Sequence, residues 1–576
     1  MEKMTDNIKA WIMIPAMALG LSACSDTWDE HYHQDITEGT ESIWKAIEDN
    51  PDLSNFASVV SHTGYAKALG GSRTFSVFAP VNSVFSQEEA QTVIQNYDVA
   101  KQAGVRDEDN NAVKEFLQNY ISYYSHSVST TTNDSLLMMN GKYQMLTAES
   151  FAGNHLQTTG KPCSNGMLYT VEGQARFFPN IYEYIAKDGE TDSIAAFLTS
   201  FDRYYFDASK SVPGEIIDGK THYLDSVITR RNEILNTYLA RIDSEDSAYW
   251  AVVPTDEVWS KLVPEYENYF QYDRSAGSKR DSMTWINARL ALVQGTFFNR
   301  RQNSDAMLRD SAMSTNAVSY NMRKYRWGDS SLKYYQYDKP FAEGGVFHAT
   351  DNVECSNGQV MKASKWNIQP TMTFLRDIIA EGESGARLDS VDQSTTVYPA
   401  NIYRVATGNP YYGKLSGNSY VEIATLSRSN TTAYFSLPDM LSNVGYDIYV
   451  TTAPALAGDE YASDAQRLPT KFKVWLRHQD EDGVIPALQR DWIPLDGDRN
   501  ITATTWETEK DSVNTFLIAK NVKVPYTTYG LGLTPKVELI FKTSPTNSQV
   551  NNGRYNRILR IDRILVVPHR EDDSQK

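Results

Sequence analysis

The chain has 576 residues, of which 41% are hydrophobic and 22% are charged. This composition is typical of a globular protein, and the length predicts about three or four domains. The formal net charge of −17 argues against nucleic acid and anionic lipid as partners, because both are bound by basic surfaces.

The N-terminus predicts export followed by lipidation. Lys3 and Lys9 precede a short apolar run over residues 10–21, which is too short for a folded transmembrane helix and is typical of a signal peptide. The run leads into Leu-Ser-Ala-Cys, which resembles the lipobox of bacterial lipoproteins. Residues 1–23 are therefore interpreted as the signal peptide, and Cys24 as the lipidated first residue of the mature chain.

Residues 24–39 are interpreted as a lipidated tether. The acidic residues of this tether resemble the surface-export signal of Bacteroidetes lipoproteins. The predicted location is therefore the outer membrane, with a lipid anchor and with the protein facing the cell exterior. His31 and His33 lie in the tether without further ligands at metal-binding spacing, so they are predicted to be linker residues.

Two short segments, Phe75–Phe85 and Tyr249–Trp259, align with each other without gaps. In each segment a short apolar strand ends at a proline, which cannot continue a hydrogen-bonded ladder. An asparagine or aspartate stands two residues later, at Asn82 and Asp256, and is predicted to cap the helix that follows.

The repeat continues through a predicted helix. Residues 113–124 carry apolar side chains at helical spacing, as do residues 286–297. The pair Tyr123-Tyr124 aligns with Phe297-Phe298 at the same offset as the first two segments. The sequence therefore predicts a second helix-containing block in the same register.

Two Cys-Ser-Asn-Gly sequences begin at Cys163 and Cys355, and their offset exceeds the earlier one by about 18 residues, which are predicted to lie between Gln302 and Gly345. Two interpretations of the cysteines remain open. The favoured one is a small half-buried residue that packs before a turn. The other is a disulfide, which needs Cα atoms within about 7 Å, whereas equivalent points of tandem domains are usually a domain diameter apart. No ligand spacing supports a metal site.

Together these features resemble the fasciclin domain, with residues 40–176 as a first domain and 177–366 as a second. The resemblance implies that Asn-Gly turns the chain into a final strand, since both residues tolerate positive φ. Some fasciclin domains use a Tyr-His pair for adhesion. Here a serine is inserted in Tyr124-Ser125-His126, so that role is not carried over, and His126 is predicted to lie at a helix end.

Residues 367–576 predict a different architecture. The stretch 370–380 is compatible with one short helix, and the short alternating segments that follow are typical of an antiparallel β-sandwich. The closing segment Leu559–Pro568 resembles jelly rolls of the galactose-binding type, which are frequent in carbohydrate-binding modules. The predicted fold class is therefore multidomain α+β, with two tandem fasciclin domains followed by a galactose-binding-like jelly roll.

A sugar-binding sandwich stacks flat aromatic side chains on sugar rings. Trp475 is predicted to point outward from its strand. The candidate ligand-binding residues are Tyr411, Tyr412, Trp475, Trp492, Trp506, Tyr526 and Tyr529. Alternatively, each of them is an ordinary surface or core aromatic residue.

One acidic loop is compared with a calcium site. Four of its residues stand at positions 1, 3, 5 and 12 of a calcium-binding loop: Asp496, Asp498, Asn500 and Glu507. Position 6 requires glycine for a sharp bend, but it is the β-branched Ile501. The loop is therefore predicted to be solvated, and no metal or cofactor is predicted apart from the lipid on Cys24.

The chain has no nucleophile elbow, no His-Glu-x-x-His and no phosphate-binding glycine loop, so it is predicted not to be an enzyme. Its layout resembles accessory lipoproteins of starch-utilisation-type importers. The predicted function is therefore binding of a polysaccharide or oligosaccharide and docking on a TonB-dependent outer-membrane barrel and its lid lipoprotein. The alternative is an adhesin that holds host matrix or other cells through its fasciclin domains. An enzyme with an unrecognised site is the least favoured hypothesis.

Overall fold

The structure is a computed structural model that describes residues 39–570 apart from 107–109, 158–159, 209–211, 218–219, 226–227, 300–315, 319–334, 386–387, 393–399, 425–428, 438 and 531–535. Cys24, His31 and His33 lie outside the described residues. The chain divides into two compact units, Met1–Phe178 and Pro179–Lys576. Within the described part of the chain, no helix is long and apolar enough to cross a membrane.

The first unit contains an α/β module over residues 43–171, which we call copy 1. Its strands are β1 (Phe75–Pro80), β2 (Ile121–Tyr123), β3 (Asn133–Leu137), β4 (Tyr143–Thr147), β5 (Ser150–Phe151), β6 (Asn154–His155), β7 (Lys161–Cys163) and β8 (Gly166–Val171). Its helical segments are α1 (Ile43–Glu48), α2 (Ser54–His62), α3 (Tyr65–Leu69), α4 (Gln87–Gln102), a π-helical turn (Ala112–Phe116) and 3-10 turns at Pro51–Leu53 and Leu117–Tyr120. One sheet has the order β2-β1-β8-β7 and the other β3-β4-β5-β6.

The centre of copy 1 is the parallel pair of β1 and β8, in which Phe75 pairs with Gly166 and Pro80 with Val171. Every residue of both strands is buried, as expected for a central parallel pair covered on both faces. The Phe78 ring stacks on two further aromatic rings, at centroid distances of 4.0 and 5.0 Å.

The second unit begins with an equivalent module over residues 181–363, which we call copy 2. Its strands are β9 (Asp202–Phe206), β10 (Val212–Ile217), β11 (Lys220–Asp225), β12 (Ile228–Asn232), β13 (Tyr249–Pro254), β14 (Phe297–Asn299), β15 (Asn316–Val318), β16 (Gln336–Asp338), β17 (Thr350–Cys355) and β18 (Gly358–Ala363). Its helical segments are α5 (Ile181–Lys187), α6 (Asp192–Thr199), α7 (Glu233–Thr237), α8 (Asp256–Tyr269), a 3-10 helix (Arg274–Lys279) and α9 (Arg280–Val293).

The main sheet of copy 2 repeats that of copy 1. Its order is β14-β13-β18-β17, and β13 and β18 are parallel, with Tyr249 paired to Gly358 and Pro254 to Ala363. The first and last strands of the two copies therefore correspond as the sequence alignment predicts.

The asparagine of the first Cys-Ser-Asn-Gly sequence joins three parts of copy 1. The side-chain oxygen of Asn165 accepts a hydrogen bond from the Ile43 N–H at 2.8 Å. The Asn165 amide donates to the carbonyl oxygens of Leu69 and Gly71, at 2.8 and 2.9 Å. The side chain thus satisfies the start of α1 and the end of α3 from one buried position.

Asn357 makes the same three bonds in copy 2. Its side-chain oxygen accepts from the Ile181 N–H at 2.9 Å, and its amide donates to the carbonyl oxygens of Ile242 and Ser244 at 2.8 and 2.9 Å. The sequence predicts only a turn here, whereas the structure adds a buried hydrogen-bonding centre. We call each of these asparagines, with its three partners, the asparagine hub.

The glycine after each hub asparagine lies against the first strand. Gly166 and Gly358 have φ of +131° and +143°. A Cβ added to them would stand 1.8 Å from the Phe75 oxygen and 1.7 Å from the Tyr249 oxygen. Only glycine fits at these positions, because both the backbone conformation and the space exclude a side chain.

The predicted helix caps are wrong in both copies, and in the same way. The helix after Asn82 is capped by Ser86, and the Asn82 side chain instead accepts from the Asn55 N–H at 3.1 Å. Asp256 lies inside α8 and accepts from the Ser193 N–H at 2.7 Å. Each side chain therefore satisfies the N-terminus of an earlier helix, α2 or α6, which short-range sequence does not reveal.

The predicted helix before the second strand is also too long, because helical structure in copy 1 ends where β2 begins. Ile121 pairs with Val77, and Phe297 pairs with the equivalent Ala251. The structure thus matches Phe297 with Ile121, whereas the sequence alignment matches it with Tyr123. A shift of two residues leaves the same side chains on the inner face, because side chains alternate along a strand.

His126 is not at a helix end, contrary to the prediction. It follows β2, and its N–H donates to the Ser76 hydroxyl at 2.8 Å. Its Nε2 lies 2.9 Å from the Tyr123 carbonyl oxygen. Burial lowers the pKa of His126, so the imidazole is neutral at physiological pH.

The rest of the second unit is a β-sandwich over residues 378–568, which we call the sandwich. Its strands are β19 (Ile378–Glu381), β20 (Leu388–Asp392), β21 (Ala400–Arg404), β22 (Ser419–Ile423), β23 (Thr432–Ser436), β24 (Gly445–Thr452), β25 (Lys471–His478), β26 (Ile493–Pro494), β27 (Trp506–Glu507), β28 (Asn514–Lys523), β29 (Val537–Thr543) and β30 (Leu559–Pro568). Short helical segments lie at Pro370–Met372, Ser416–Asn418, Ala455–Ala457, Gln489–Asp491 and α10 (Asn547–Asn551).

The sandwich consists of two six-stranded sheets. One has the order β21-β22-β30-β24-β28 with β19 beside β30, and the other β20-β23-β29-β25-β26 with β27 beside β25. The Phe472 and Phe516 rings, one from each sheet, meet at 5.5 Å in the shared core. The short helix predicted over 370–380 is wrong, because only Pro370–Met372 is helical and Ile378–Glu381 is a strand.

Candidate functional site

A cleft of about 440 Å³ lies inside the second unit, between the helices of copy 2 and the loops of the sandwich. We call it the cleft. Copy 2 contributes α8, the 3-10 helix and α9, and the sandwich contributes two loop residues. Its principal lining residues are Glu267, Gln271, Arg274, Arg280, Trp285, Glu481 and Tyr526.

Main-chain hydrogen bonds fix the two sides of the cleft. The Thr527 N–H donates to the Gln271 oxygen at 2.7 Å, and the Ser442 N–H donates to the Tyr269 oxygen at 3.1 Å. The Gln271 N–H donates to the Ser442 hydroxyl at 2.9 Å. Backbone pairing of this kind makes the cleft a preformed feature of the unit.

An aromatic cluster lies where copy 2 contacts the sandwich, a contact that we call the joint. The Phe270 ring lies 5.4 Å from the Tyr529 ring and 5.7 Å from the Phe374 ring. The Tyr272 hydroxyl donates to the Tyr529 carbonyl oxygen at 3.0 Å. Phe270 and Tyr272 are 1% and 3% exposed, so the sandwich buries this surface of copy 2.

Ion pairs and a tryptophan ring both belong to the lining of the cleft. Arg274 contacts Glu481 at 2.5 Å, and Arg280 contacts Asp281 at 3.0 Å. The Arg289 guanidinium lies over the Trp285 ring, 5.0 Å from the ring centroid. The lining thus offers guanidinium donors and carboxylate acceptors together with a tryptophan ring, which suits an uncharged ligand with many hydroxyl groups more than an ion.

One of the seven predicted residues lines the cleft, and a second lies beside it. Tyr526 lines it, and Tyr529 belongs to the joint beside it. Tyr411 and Tyr412 lie elsewhere in the sandwich. The Tyr411 hydroxyl donates to the Asp511 carbonyl oxygen at 2.6 Å, and Tyr412 is 47% exposed. The predicted residues therefore do not form one platform.

Trp475 is buried, which differs from the expectation for an outward-pointing residue that stacks on a ligand. It is only 8% exposed, although strand alternation does turn it away from the sandwich core. The Trp492 ring packs against it at 6.4 Å, and the Trp492 indole donates to the Pro486 oxygen at 3.0 Å. A loop thus covers this face of the sheet, so an outward position on the strand is not a solvent-exposed one.

Beneath these tryptophans lies a buried ion pair. Arg477 donates to Glu538 at 2.7 Å, and its guanidinium lies 4.9 Å from the Tyr434 ring. Burial raises the pKa of Glu538, against the opposing effect of Arg477. Trp506, the seventh predicted residue, is half-buried and packs on Phe516 at 5.8 Å, so it belongs to the core edge.

In the loop that was compared with a calcium site, the Asp496 carboxylate accepts hydrogen bonds from the backbone of the loop itself. Asp496 accepts hydrogen bonds from the N–H groups of Asp498, Asn500 and Ile501, at 3.0, 2.7 and 3.2 Å. These backbone donors lower the pKa of Asp496 to about 2. In the described part of the chain, no group of three or more His, Cys, Asp or Glu side chains is arranged to hold a metal ion.

The two cysteines occupy equivalent positions beside the asparagine hubs. Both are buried, at 4% and 6% exposure, and they form no disulfide with each other. Burial raises the pKa of the Cys163 thiol to about 11. The structure therefore agrees with the packing interpretation, in which Cys163 and Cys355 are small apolar residues before a turn.

Sequence reasoning missed an acidic cluster at the first strand of the sandwich. The Asp562 carboxylate accepts from the Ser416 N–H at 2.9 Å, and Glu381 accepts from the Ser416 hydroxyl at 2.7 Å. One oxygen each of Glu381 and Glu383 is buried without a hydrogen bond. Burial, with these two glutamates, raises the pKa of Asp562 to about 7. The only sequence signal is an aspartate inside an apolar strand.

No protein-family model matches the chain, and no curated protein sequence matches it. Among solved structures, the chain is similar to a fasciclin-domain pair from the insect cell-adhesion molecule fasciclin I, at 10% identity over 56% of this chain and 98% of that chain, with a TM-score of 0.19. It is also similar to a family 35 carbohydrate-binding module from Clostridium thermocellum, at 11% identity over 33% of this chain and 96% of that chain, with a TM-score of 0.18. A third similar structure is a family 61 carbohydrate-binding module in complex with β-1,4-galactotriose. It has 11% identity over 34% of this chain and 90% of that chain, with a TM-score of 0.15. Similarities of this size assign neither a fold nor a ligand.

Proposed function

We propose that the chain is a non-catalytic, surface-exposed lipoprotein that binds a saccharide in the cleft. The observation that carries this proposal is that Trp285 and Tyr526 line one cavity of about 440 Å³ together with guanidinium and carboxylate groups. Sugars present apolar C–H faces that stack on aromatic rings and hydroxyl groups that both donate and accept hydrogen bonds. The cavity volume lies in the range of about 300–1,000 Å³ usual for ligand sites.

The assignment of domain families, membrane location and partners rests on the sequence resemblances. We propose two tandem fasciclin domains over residues 40–176 and 177–366, and a galactose-binding-like jelly roll over 367–576. Cys24 would carry the lipid that anchors the chain to the outer membrane of a Bacteroidetes-type bacterium, facing the exterior. The proposed partners are a TonB-dependent barrel and its lid lipoprotein. The repeated strand order and the two asparagine hubs support the two-domain part of this assignment.

A glycan array with residues 39–576 tests saccharide binding, followed by calorimetric titration of the best glycan. We expect Trp285→Ala and Tyr526→Ala each to weaken binding by about 10- to 100-fold, because each removes a stacking surface. Tyr412→Ala is the matched control, since Tyr412 is 47% exposed but lies outside the cleft. Binding that survives both cleft substitutions and is lost in Tyr412→Ala would overturn the assignment of the site.

Copurification from detergent-solubilised outer membrane tests location and partner together. The full chain should appear in this fraction with a stoichiometric barrel, and Cys24→Ser should release it from the membrane because the lipid provides the anchor. A chain that fractionates with the outer membrane but without a barrel would contradict the proposed partner and leave saccharide binding as a separate question.

Adhesion is the second candidate, and one surface favours it. In copy 2, β9 and β12 form a two-stranded ribbon. Tyr204 and Phe206 are two residues apart on β9 and therefore share one face, where they are 68% and 46% exposed. Exposed aromatic residues that share a face are typical of interaction surfaces. A cell- or matrix-binding assay in which Tyr204→Ser with Phe206→Ser abolishes attachment, while Trp285→Ala does not, would establish adhesion instead of saccharide binding.

A further inference from the structure

One sheet of copy 1 has an outward face without charged side chains. Its strands β3 and β4 are antiparallel, and Leu137 lies opposite Tyr143. Because side chains alternate along a strand, the buried Leu136 marks the inner face. The outward residues of the two strands are therefore Asn133, Ser135, Leu137, Tyr143, Met145 and Thr147. None of these six is charged, although the chain has 22% charged residues and a net charge of −17.

The apolar part of this face extends over a third strand. Ser122 of β2 forms an antiparallel bridge with Met138, which places the next residue of β2 opposite Leu137. We call the four apolar residues of this surface the platform: Tyr123, Leu137, Tyr143 and Met145. Their side chains are 36%, 48%, 44% and 45% exposed, in that order. A contiguous exposed apolar surface of this kind marks a protein or membrane interaction site.

The described chain begins on the same module as the platform. The Ser164 N–H donates to the Glu41 oxygen at 2.9 Å, so the chain enters copy 1 beside the end of β7. The main sheet has the order β2-β1-β8-β7, so β7 and β2 are three strand spacings apart, or about 14 Å. Residues 24–38 span at most about 50 Å even if fully extended. A lipid on Cys24 therefore keeps the platform close to the bilayer.

We propose that the platform contacts the surface of the bilayer that holds the lipid anchor, with its side chains among zwitterionic lipid headgroups. Tyrosine suits this interface, because its ring is apolar and its hydroxyl group is polar. The six outward positions of β3 and β4 include no lysine or arginine, which matches zwitterionic lipid and not anionic lipid. The contact orients copy 1 on the membrane. This inference depends on the proposed lipidation of Cys24 but not on saccharide binding in the cleft.

Coupling Cys24 to a maleimide lipid rebuilds the anchor in vitro and tests the contact. Residues 24–576 are coupled to vesicles of phosphatidylcholine, and the other two cysteines do not compete because both are buried. p-Benzoylphenylalanine in place of Met145 should then photo-crosslink phosphatidylcholine, because this side chain belongs to the platform. The same probe in place of Val99, which is 66% exposed in copy 1 but lies outside the platform, should not crosslink lipid.

A charge at the centre of the platform should break the contact. Leu137→Glu should lower the yield of lipid crosslinks from position 145 by at least about 5-fold, since the carboxylate would lose hydration at the bilayer surface. Leu137→Phe is the matched control and should keep the yield. Both variants should keep the melting temperature of the parent chain, because the Leu137 side chain is 48% exposed. This comparison separates loss of membrane contact from loss of the fold.

The outcomes distinguish failure of this inference from failure of the proposed anchor. The inference is overturned by crosslinks from position 145 only to protein, by no crosslink, by equal lipid crosslinks from position 99, or by a yield that Leu137→Glu does not lower. Each of these results leaves the anchor standing. Mass spectrometry of the chain from its own outer membrane tests the anchor separately, and a mature chain without lipid on Cys24 would overturn the anchor and this inference together.

Discussion

Copy 1 and copy 2 have the same central sheet but different outer surfaces. In both copies the first and last strands are parallel with six paired residues, and a buried asparagine makes the same three hydrogen bonds. The helix that follows the first strand differs between the copies, since copy 2 buries Phe270 at the end of this helix against the sandwich, while copy 1 leaves Val99 66% exposed. The duplicated part is the core, where backbone hydrogen bonds leave little freedom, and the helix surface is the part that has diverged.

The largest expected effect tests the shared core. Gly166→Ala in copy 1 and Gly358→Ala in copy 2 each place a Cβ within 1.8 Å of a strand oxygen at a positive φ. We expect each substitution to destabilise its own unit by at least about 4 kcal/mol, because backbone on both sides must move. Calorimetry should find that Gly166→Ala lowers only the transition of the first unit, and Gly358→Ala only that of the second.

Gly64→Ala is the matched control for that experiment. Gly64 also has positive φ, at +80°, but an added Cβ meets nothing within 4 Å. The expected cost is only about 1 kcal/mol of backbone strain. If Gly64→Ala were as damaging as Gly166→Ala, backbone strain rather than close packing would explain the need for glycine at position 166.

The asparagine hubs predict a somewhat smaller effect. Asn165→Ala and Asn357→Ala each remove three hydrogen bonds at a buried site. At about 1 kcal/mol per bond, each should destabilise its unit by about 3 kcal/mol in urea unfolding. The equivalence of the copies requires the two values to agree within about 1 kcal/mol, and a hub that tolerates alanine would break that equivalence.

The joint between copy 2 and the sandwich is the next test. Tyr529→Ala removes the ring that packs on Phe270 but keeps the carbonyl oxygen that accepts from Tyr272. We expect a loss of about 2 kcal/mol and a separation of the single transition of the second unit into two. Tyr461→Ala, at a side chain that is 92% exposed, should change stability by less than about 0.5 kcal/mol.

Acid should stabilise the second unit through Asp562. Its pKa is about 7 in the folded chain and 3.8 as the ordinary value. Between these two values the folded state holds a proton that the unfolded state has lost. The resulting stability is fully present below pH 3.8, declines as the pH rises, and is lost once the pH passes about 7. From pH 5.5 to pH 8 the loss should be about 2 kcal/mol.

Asp562→Asn should remove this pH dependence. The difference between the free energies of unfolding of the wild type and the variant at each pH isolates the contribution of Asp562 from those of other carboxyl groups. Both proteins are measured in the same buffer and at the same ionic strength, so that only the side chain at position 562 differs between them. An identical pH dependence in wild type and variant would contradict the raised pKa of Asp562.

Local signals predicted the parts of the fold that depend on a few adjacent residues. The proline that ends each first strand and the Asn-Gly pair that begins each last strand are such cases. The second strand was displaced by two residues, because period-two alternation fits both registers. The caps at Asn82 and Asp256 failed because the sequence does not show which helix a side chain reaches.

The site was predicted less well, for a related reason. Alternation gave the orientation of Trp475 but not the loop that covers it. Tyr526 was a candidate, whereas Trp285 and Arg274 were not, because they belong to copy 2 and only the folded unit brings them to the sandwich. A cleft between two modules draws on residues that are far apart in the chain, which no local pattern connects.

Hydrogen–deuterium exchange of residues 39–576, with and without the best glycan of the array, tests the central claim directly. The account predicts slower exchange in the bound state at 268–285 and 525–530, on the two sides of the cleft, with copy 1 unchanged. Protection confined to 411–412 or to 475–492, with no change at 268–285, would contradict it.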